Sequence, residues 1–231
     1  MASSRKFNHT NDPQRSLKIL AVSDIEHPRV YDQNIKERFG KMDLVVACGD
    51  LPNFYLDYII SMLDIPMFYV NGNHVPQSLS NPSHNEEDPQ GAFDLHKQVI
   101  YLKEFDLILA GIEGCQKYNK GKHQYTQADM WIMVLGMIPK LIWNKWHYGR
   151  YLDIFVAHAP AWKLNDETDL AHQGIKAFRW LIETFHPRVF LHGHVHTYRN
   201  HPTQVLQHGQ TSIYNAYGYQ VIELDRNKKL L

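Results

Sequence analysis

Residues 188–196 read Arg-Val-Phe-Leu-His-Gly-His-Val-His, a short apolar run that breaks at a glycine into three histidines within five positions. The run has no helical period, and its β-branched and aromatic residues suit a strand buried on both faces. Four other runs end in the same manner. Residues 17–22 lead into Ser23, Asp24, Ile25 and Glu26, and residues 44–48 into Gly49 and Asp50. Residues 66–70 lead into Asn71, Gly72, Asn73 and His74, and residues 152–157 end on His158. Segments with helical spacing lie between them, at about 31–39, 55–63, 127–146 and 171–185. Strand then helix, repeated, predicts a layered α/β fold whose ligands bind beyond the carboxyl ends of the strands. All five polar clusters fall at that edge, which points to one shared site.

The chain also carries antiparallel signals. Residues 99–102 and 107–111 flank the polar run 103–106 as a hairpin would, and residues 204–206, 211–215 and 219–224 form a second strand group separated by Gly209 and Gly218. The expected class is therefore α/β, in part α+β: a four-layer α/β/β/α sandwich in which helices flank two mixed β-sheets. Residues 1–16 are polar and read as a loosely ordered tail ahead of a single domain at 17–231. Residues 75–91, rich in Pro, Asn, Ser, Glu and Asp, read as a solvated connection or as a rim or lid over the site.

Composition removes several function classes. Lys plus Arg and Asp plus Glu both number 24 in 231 residues, so there is no basic excess of the kind that marks nucleic-acid or membrane-surface binding. The two cysteines, Cys48 and Cys115, form no CxxC pair, which suggests a reducing compartment. The polar N-terminus has no apolar signal core, and the greasiest stretch, 130–143, is interrupted by Pro139 and Lys140 and is too short to span a bilayer. A cytoplasmic protein without a transmembrane segment is expected. Histidine is frequent at 15 residues, so position must sort ligands from bystanders.

Asp24, Glu26, Asp50, Asn73, His158, His194 and His196 form a mixed carboxylate, amide and imidazole set that exceeds the needs of one ion. Such oxygen and nitrogen donors suit two divalent ions, with Mn first and Fe, Zn, Mg or Co as alternatives. Gly49, Gly72 and Gly193 stand beside these donors, where a chain must turn sharply or approach closely.

In this order, Asp24-x-Glu26, Gly49-Asp50, Gly72-Asn73-His74, His158 and Gly193-His194-Val195-His196 resemble the calcineurin-like metallophosphoesterase superfamily, whose pattern is DxH, GD, GNH[ED], a lone H and GHxH. The resemblance covers about residues 17–225. It implies that Asp24, residue 26 and His196 hold one ion, that Asn73, His158 and His194 hold the other, and that Asp50 bridges them. It further implies a phosphoesterase, here a phosphodiesterase acting on a small organic phosphate or nucleotide through metal-activated hydroxide. His74 would contact phosphate or protonate the leaving group, which with Asp50 makes the catalytic pair, and Asn73 and His74 would meet substrate. Two positions depart from the pattern. Glu26 stands where the family has histidine, a harder ligand that tilts the site toward Mn or Mg, with His27 as a rival that an extended chain turns away. Val75 stands where the family has an acid that orients His74. Slow turnover, or a metal-binding or ligand-sensing module with weak or lost turnover, is the alternative it raises.

Three further segments carry two readings each. His192 ends a strand and suits packing or support of a ligand. In 165–174, Thr168 or Asp169 could cap the following helix, while Asp166, Asp169 and His172 could lie beside the metals with His172 touching substrate. Residues 130–146, with Trp143 and Trp146, suit a buried helix or a homo-oligomer contact, or else an apolar cap or membrane-surface contact. Lys117, Lys120 and Lys122, with Tyr118 and Tyr125, read as a solvated turn.

Overall fold

Alternate residues of the central strands enter different cores, which is why these strands carry no polar face. The computed structural model describes residues 15–74, 89–196 and 205–225. In strand β1 (Leu17–Ser23), Leu17, Ile19 and Ala21 face one way and Leu20 and Val22 the other. The even residues pack on helices α1 (Ile35–Phe39) and α2 (Asn53–Leu63), together with Val45 and Ala47 of β2 (Leu44–Ala47). The odd residues of β1 meet a second sheet through Leu107 and Leu109 of β6 (Leu107–Ile112) and Ile154 and Val156 of β9 (Ile154–Ala157), in a core that also takes in Phe68 of β3 (Met67–Tyr69).

The first sheet is completed by β4 (Ala92–Asp94) and β13 (Gly218–Leu224), in the order β13-β1-β2-β3-β4, with β1 to β4 parallel. The hairpin read from the sequence forms as β5 (Gln98–Leu102) and β6 (Leu107–Ile112), paired antiparallel. After a small pair, β7 (Cys115–Gln116) and β8 (Gln124–Tyr125), comes the long helix α3 (Gln127–Tyr148). The strand β9 (Ile154–Ala157), helix α4 (Lys176–Phe185) and strand β10 (Val189–His192) follow. The chain then runs through β11 (Val205–His208), β12 (Thr211–Asn215) and β13 (Gly218–Leu224). The second sheet has the order β11-β12-β10-β9-β6-β5, and its other face packs on α3 and α4 through Ile108, Phe155 and Phe190 against Val134, Leu141, Phe178 and Leu181. Helices, sheet, sheet and helices thus make four layers around three cores.

The last strand group divides between the sheets. β11 and β12 pair antiparallel in the second, whereas β13 crosses to pair antiparallel with β1 in the first, Leu17 opposite Leu224 and Ser23 opposite Gly218. Two helices are shorter than their sequence periodicity suggests. Of residues 31–39 only Ile35–Phe39 is helical, because the Asp32 carboxylate accepts from the Asn34 N–H at 2.9 Å and holds a turn. The helix expected at 171–185 begins at Lys176, so neither Thr168 nor Asp169 caps it; Asp169 instead accepts from the N–H groups of Ala171 and His172. Helix α3 runs on through Pro139 on its exposed side, where water can serve the carbonyl freed one turn earlier. The expected tail lies outside the described residues as far as residue 14, as do 75–88, including Val75. Among the described residues no helix is long and apolar enough to cross a membrane.

Candidate metal centre

The loops after β1, β2 and β3 bring Asp24, Asp50 and Asn73 from one sheet, and those after β9 and β10 bring His158 and His194 from the other. Hydrogen bonds stitch four of these five loops together. Asp24 N–H donates to Gly49 O at 3.1 Å, Gly193 N–H to His158 O at 3.0 Å, and His194 N–H to both Asp24 carboxylate oxygens at 3.0 and 3.1 Å.

Two of these loops repeat one device. Ile25 N–H donates to Ser23 O and Val195 N–H to Gly193 O, each at 2.8 Å, so three-residue turns centre on Asp24 and His194. Their φ angles are 66° and 67°, and Asp50 has 56°, a left-handed conformation that non-glycine residues adopt at an energetic cost. The turns aim side chains back between the sheets. Close packing explains two of the glycines: a Cβ on Gly72 would collide with the Asp50 carboxylate, and one on Gly193 with Ser23 Oγ and Asp24.

Each buried imidazole is held by a carbonyl. His158 Nδ1 donates to Cys48 O at 2.8 Å and His194 Nε2 to Ala171 O at 2.7 Å, which leaves His158 Nε2 and His194 Nδ1 facing each other at 3.1 Å. Asn73 Oδ1 lies 3.0 Å and an Asp50 carboxylate oxygen 3.4 Å from the same Nε2, the Asn73 amide being oriented by its Nδ2–H bond to Tyr118 at 3.0 Å. Four lone-pair-bearing atoms therefore converge with room for one proton among them. Ligands held about 2.1 Å from one ion stand about 3.0 to 3.4 Å from each other, so this donor set fits a divalent cation. Asp50, His158 and His194 make a candidate metal-binding group, with ligand atoms all within 4.8 Å of one another.

Burial and neighbouring charge pull on the ionisable groups of this cluster in opposite directions. Burial lifts the Asp24 carboxyl above its ordinary value, though the His158 charge opposes this. Burial works against charge on His158 as well, but Asp50 and Asp24 overcome it and raise the imidazole to about 9. Burial and the charge on His158 lower His194 to about 3, so its Nδ1 is a lone pair. Asp50 resists the upward effect of burial through His158 and the His74 N–H, which donates to it at 2.8 Å, and ends below its ordinary value.

The remaining sequence candidates surround this group. The imidazole of His74 is exposed, and Glu26 is exposed on the loop after Asp24, near enough to Tyr55 for its charge to act on that phenol. His27 turns to the edge of Tyr219, ring centroids 4.7 Å apart. His196 is exposed, with its ring 4.9 Å from Tyr217 and 6.5 Å from His172. His172 lies 5.0 Å from His194, ring to ring, and both Asp169 carboxylate oxygens stand 3.0 Å from its Nδ1; with Glu167 these residues form a second, exposed group of ligand type. His192 is buried, stacks on Phe190 at 5.4 Å, and is lowered to about 4 by burial.

Sequence reading missed a support on the other side of Asn73. Buried Glu113 accepts from Tyr125 at 2.6 Å and Asn71 at 3.0 Å and pairs with His123 at 3.0 Å and His96 at 3.5 Å. The segment read as a solvated turn thus sends Tyr118 to Asn73 and Tyr125 to Glu113. No motif marks these contacts, which join residues far apart in the chain.

Fold and site define a four-layer α/β/β/α protein with a candidate metal-binding group at the facing strand ends of two sheets. This four-layer architecture is the one that the resemblance of the motifs implied. One crystal structure shares it at 16% identity and a TM-score of 0.59, over 90% of this chain and 95% of its own. TT1561 of Thermus thermophilus is similar at 17% identity and a TM-score of 0.50, over 93% of this chain and all of that one. The calcineurin-like phosphoesterase YfkN from Bacillus subtilis aligns at 11% identity and a TM-score of 0.43, over 95% and 93% of the two chains. No protein-family model and no curated protein matches the sequence. At these identities the likeness speaks for the fold, and the activity must be argued from the site.

Proposed function

We propose that the protein is a metal-dependent phosphoesterase, specifically a phosphodiesterase of small organic phosphates or nucleotides, working with two divalent ions. The observation that carries this reading is the convergence of Asp50, Asn73, His158 and His194 on one point with their lone pairs inward. Asn73, His158 and His194 would hold one ion, Asp24, Glu26 and His196 the other, with Asp50 between. Mn is the first expectation, because the donors are oxygen and nitrogen without thiolate. When bound, the ions acidify water and neutralise charge growing on the phosphoryl oxygens.

The chain's own groups do the rest. Cys48 O and Ala171 O hold the outer ring N–H of His158 and of His194, so that the other nitrogen of each imidazole turns inward, and His158 would release its inner proton when an ion binds. Asp50 accepts from the backbone N–H of His74, whose exposed imidazole would contact phosphate or protonate the leaving group. His172, held at Nδ1 by Asp169, keeps Nε2 for a substrate oxygen. The buried thiols Cys48 and Cys115 suit work in the reducing cytoplasm.

The test is hydrolysis of bis(p-nitrophenyl) phosphate and p-nitrophenyl phosphate with Mn, Fe, Zn or Mg supplied. Asp50→Asn and His194→Ala should each lower kcat/KM at least about 100-fold, about the loss of one transition-state stabilising group. Full activity in both variants overturns the reading. Tight binding of two ions without turnover would make the protein a metal-binding or ligand-sensing module instead.

A further inference from the structure

Helix α3 carries two apolar seams, and the fold covers one. Its inner seam, Met130, Val134, Met137 and Leu141, is buried against the second sheet and α4. Its outer seam is Ile132, Leu135, Pro139, Ile142 and Trp146, all exposed, with Trp146 at 80%, Ile132 at 70% and Ile142 at 56% of full exposure. The outer spacing of three, four, three and four residues is that of a helix meeting a second helix along one stripe.

The exposed side of the helix also holds a recess and a projection. A groove of about 400 Å³ is lined by Ile132, Met133, Gly136 and Met137, with Lys97 and Asp129 at its rim. Gly136 makes the recess, since a Cβ there would meet nothing within 4 Å. Ten residues on, about 15 Å along the axis, stands the exposed indole of Trp146. The recess opens on the flank of the helix towards Lys97, whereas the seam from Ile132 to Trp146 runs along one exposed face, as a self-complementary contact with two-fold symmetry requires.

We propose that this face joins two copies of the chain as an antiparallel helix pair with its two-fold axis near Pro139. About that axis Trp146 of one copy meets Ile132 of the other, and Trp143 meets Leu135. The charges agree with this direction. The helix carries Asp129 in its first turn and Lys145 and His147 in its last, so antiparallel pairing sets acid towards base, whereas parallel pairing would set like against like. Buried indoles are the usual anchors of such contacts. The inference is independent of the reaction at the metal centre.

Sedimentation equilibrium of the full chain, over a range of concentrations, tests it. The wild type should dimerise, and Trp146→Glu and Leu135→Glu should each weaken dimerisation about tenfold or more. Both sites are exposed, so these variants should keep the native fold, which circular dichroism checks. In an Ile132→Cys, Trp146→Cys double variant, oxidation should link the copies through residues 132 and 146, because the native cysteines are buried. A monomer at every concentration overturns the proposal, and flotation of that monomer with anionic vesicles would assign the face to a membrane surface. A dimer that survives both variants overturns it as well.

Discussion

Asp24 sits in a left-handed turn with φ 66°, and burial lifts its carboxyl above the ordinary value; a residue chosen for stability would have neither property. Both costs are met by placing a carboxylate where His194 N–H and a cation can share it. A carboxyl whose folded pKa exceeds its unfolded value destabilises the fold above the unfolded pKa, and that cost is relieved as pH falls through the folded one. Asn keeps the shape, tolerates the left-handed conformation and removes the charge. Asp24→Asn should therefore stabilise the metal-free protein at neutral pH while losing stabilisation by Mn. Urea unfolding with and without Mn checks both halves, and a metal-free variant less stable than wild type would contradict this account of the site's strain.

At the scale of elements, β6 delivers Glu113 to the point where β7, β8 and the loop after β3 meet. Burial works to raise this carboxyl, but hydrogen bonds from His123, Tyr125 and Asn71 and the charge of His96 prevail and hold it at about 2, against an ordinary 4.5. A lowered carboxyl adds stability that is complete above about 4.5 and vanishes as pH falls toward 2, on the order of 3 kcal/mol here. His123 is raised from 6.5, chiefly by its hydrogen bond to Glu113, so its share is present below 6.5 and declines as pH rises through its folded value. Together they act most strongly between about 4.5 and 6.5. In Glu113→Gln the fall in stability between pH 4.5 and 2 should shrink by most of that amount, read from urea midpoints across pH. The strands that end in ligands were legible because apolar runs and motif residues adjoin in the chain. The Glu113 support was not, because Asn71, His96, His123 and Tyr125 meet it only after folding. Nor was the start of α4: the acids at 166–169 look like caps, yet Asp169 turns to the N–H groups of Ala171 and His172.

For the whole molecule, the decisive fact is that the candidate ligands come from both sheets. The sheets already share a core, from Ile19 and Val46 on one side to Leu109 and Val156 on the other, so their strand ends are held in register before any ion binds. A cation taken by Asp50 and Asn73 of one sheet and His158 and His194 of the other would then link the two layers where their loops diverge, and would be lost with the native state. Binding to the folded form alone adds about 2.7 kcal/mol when the free ion is at 100 times its dissociation constant. For a domain of this length that corresponds to a rise in Tm of roughly 5 to 10 °C. Calorimetry with Mn against EDTA should show this rise in the wild type. It should be absent in His194→Ala, which removes a ligand from the second sheet, and retained in Trp146→Glu, whose change lies on the outer face of α3. If Mn raised Tm equally in His194→Ala, the ion would be binding elsewhere, and the cluster between the sheets would not be the metal centre.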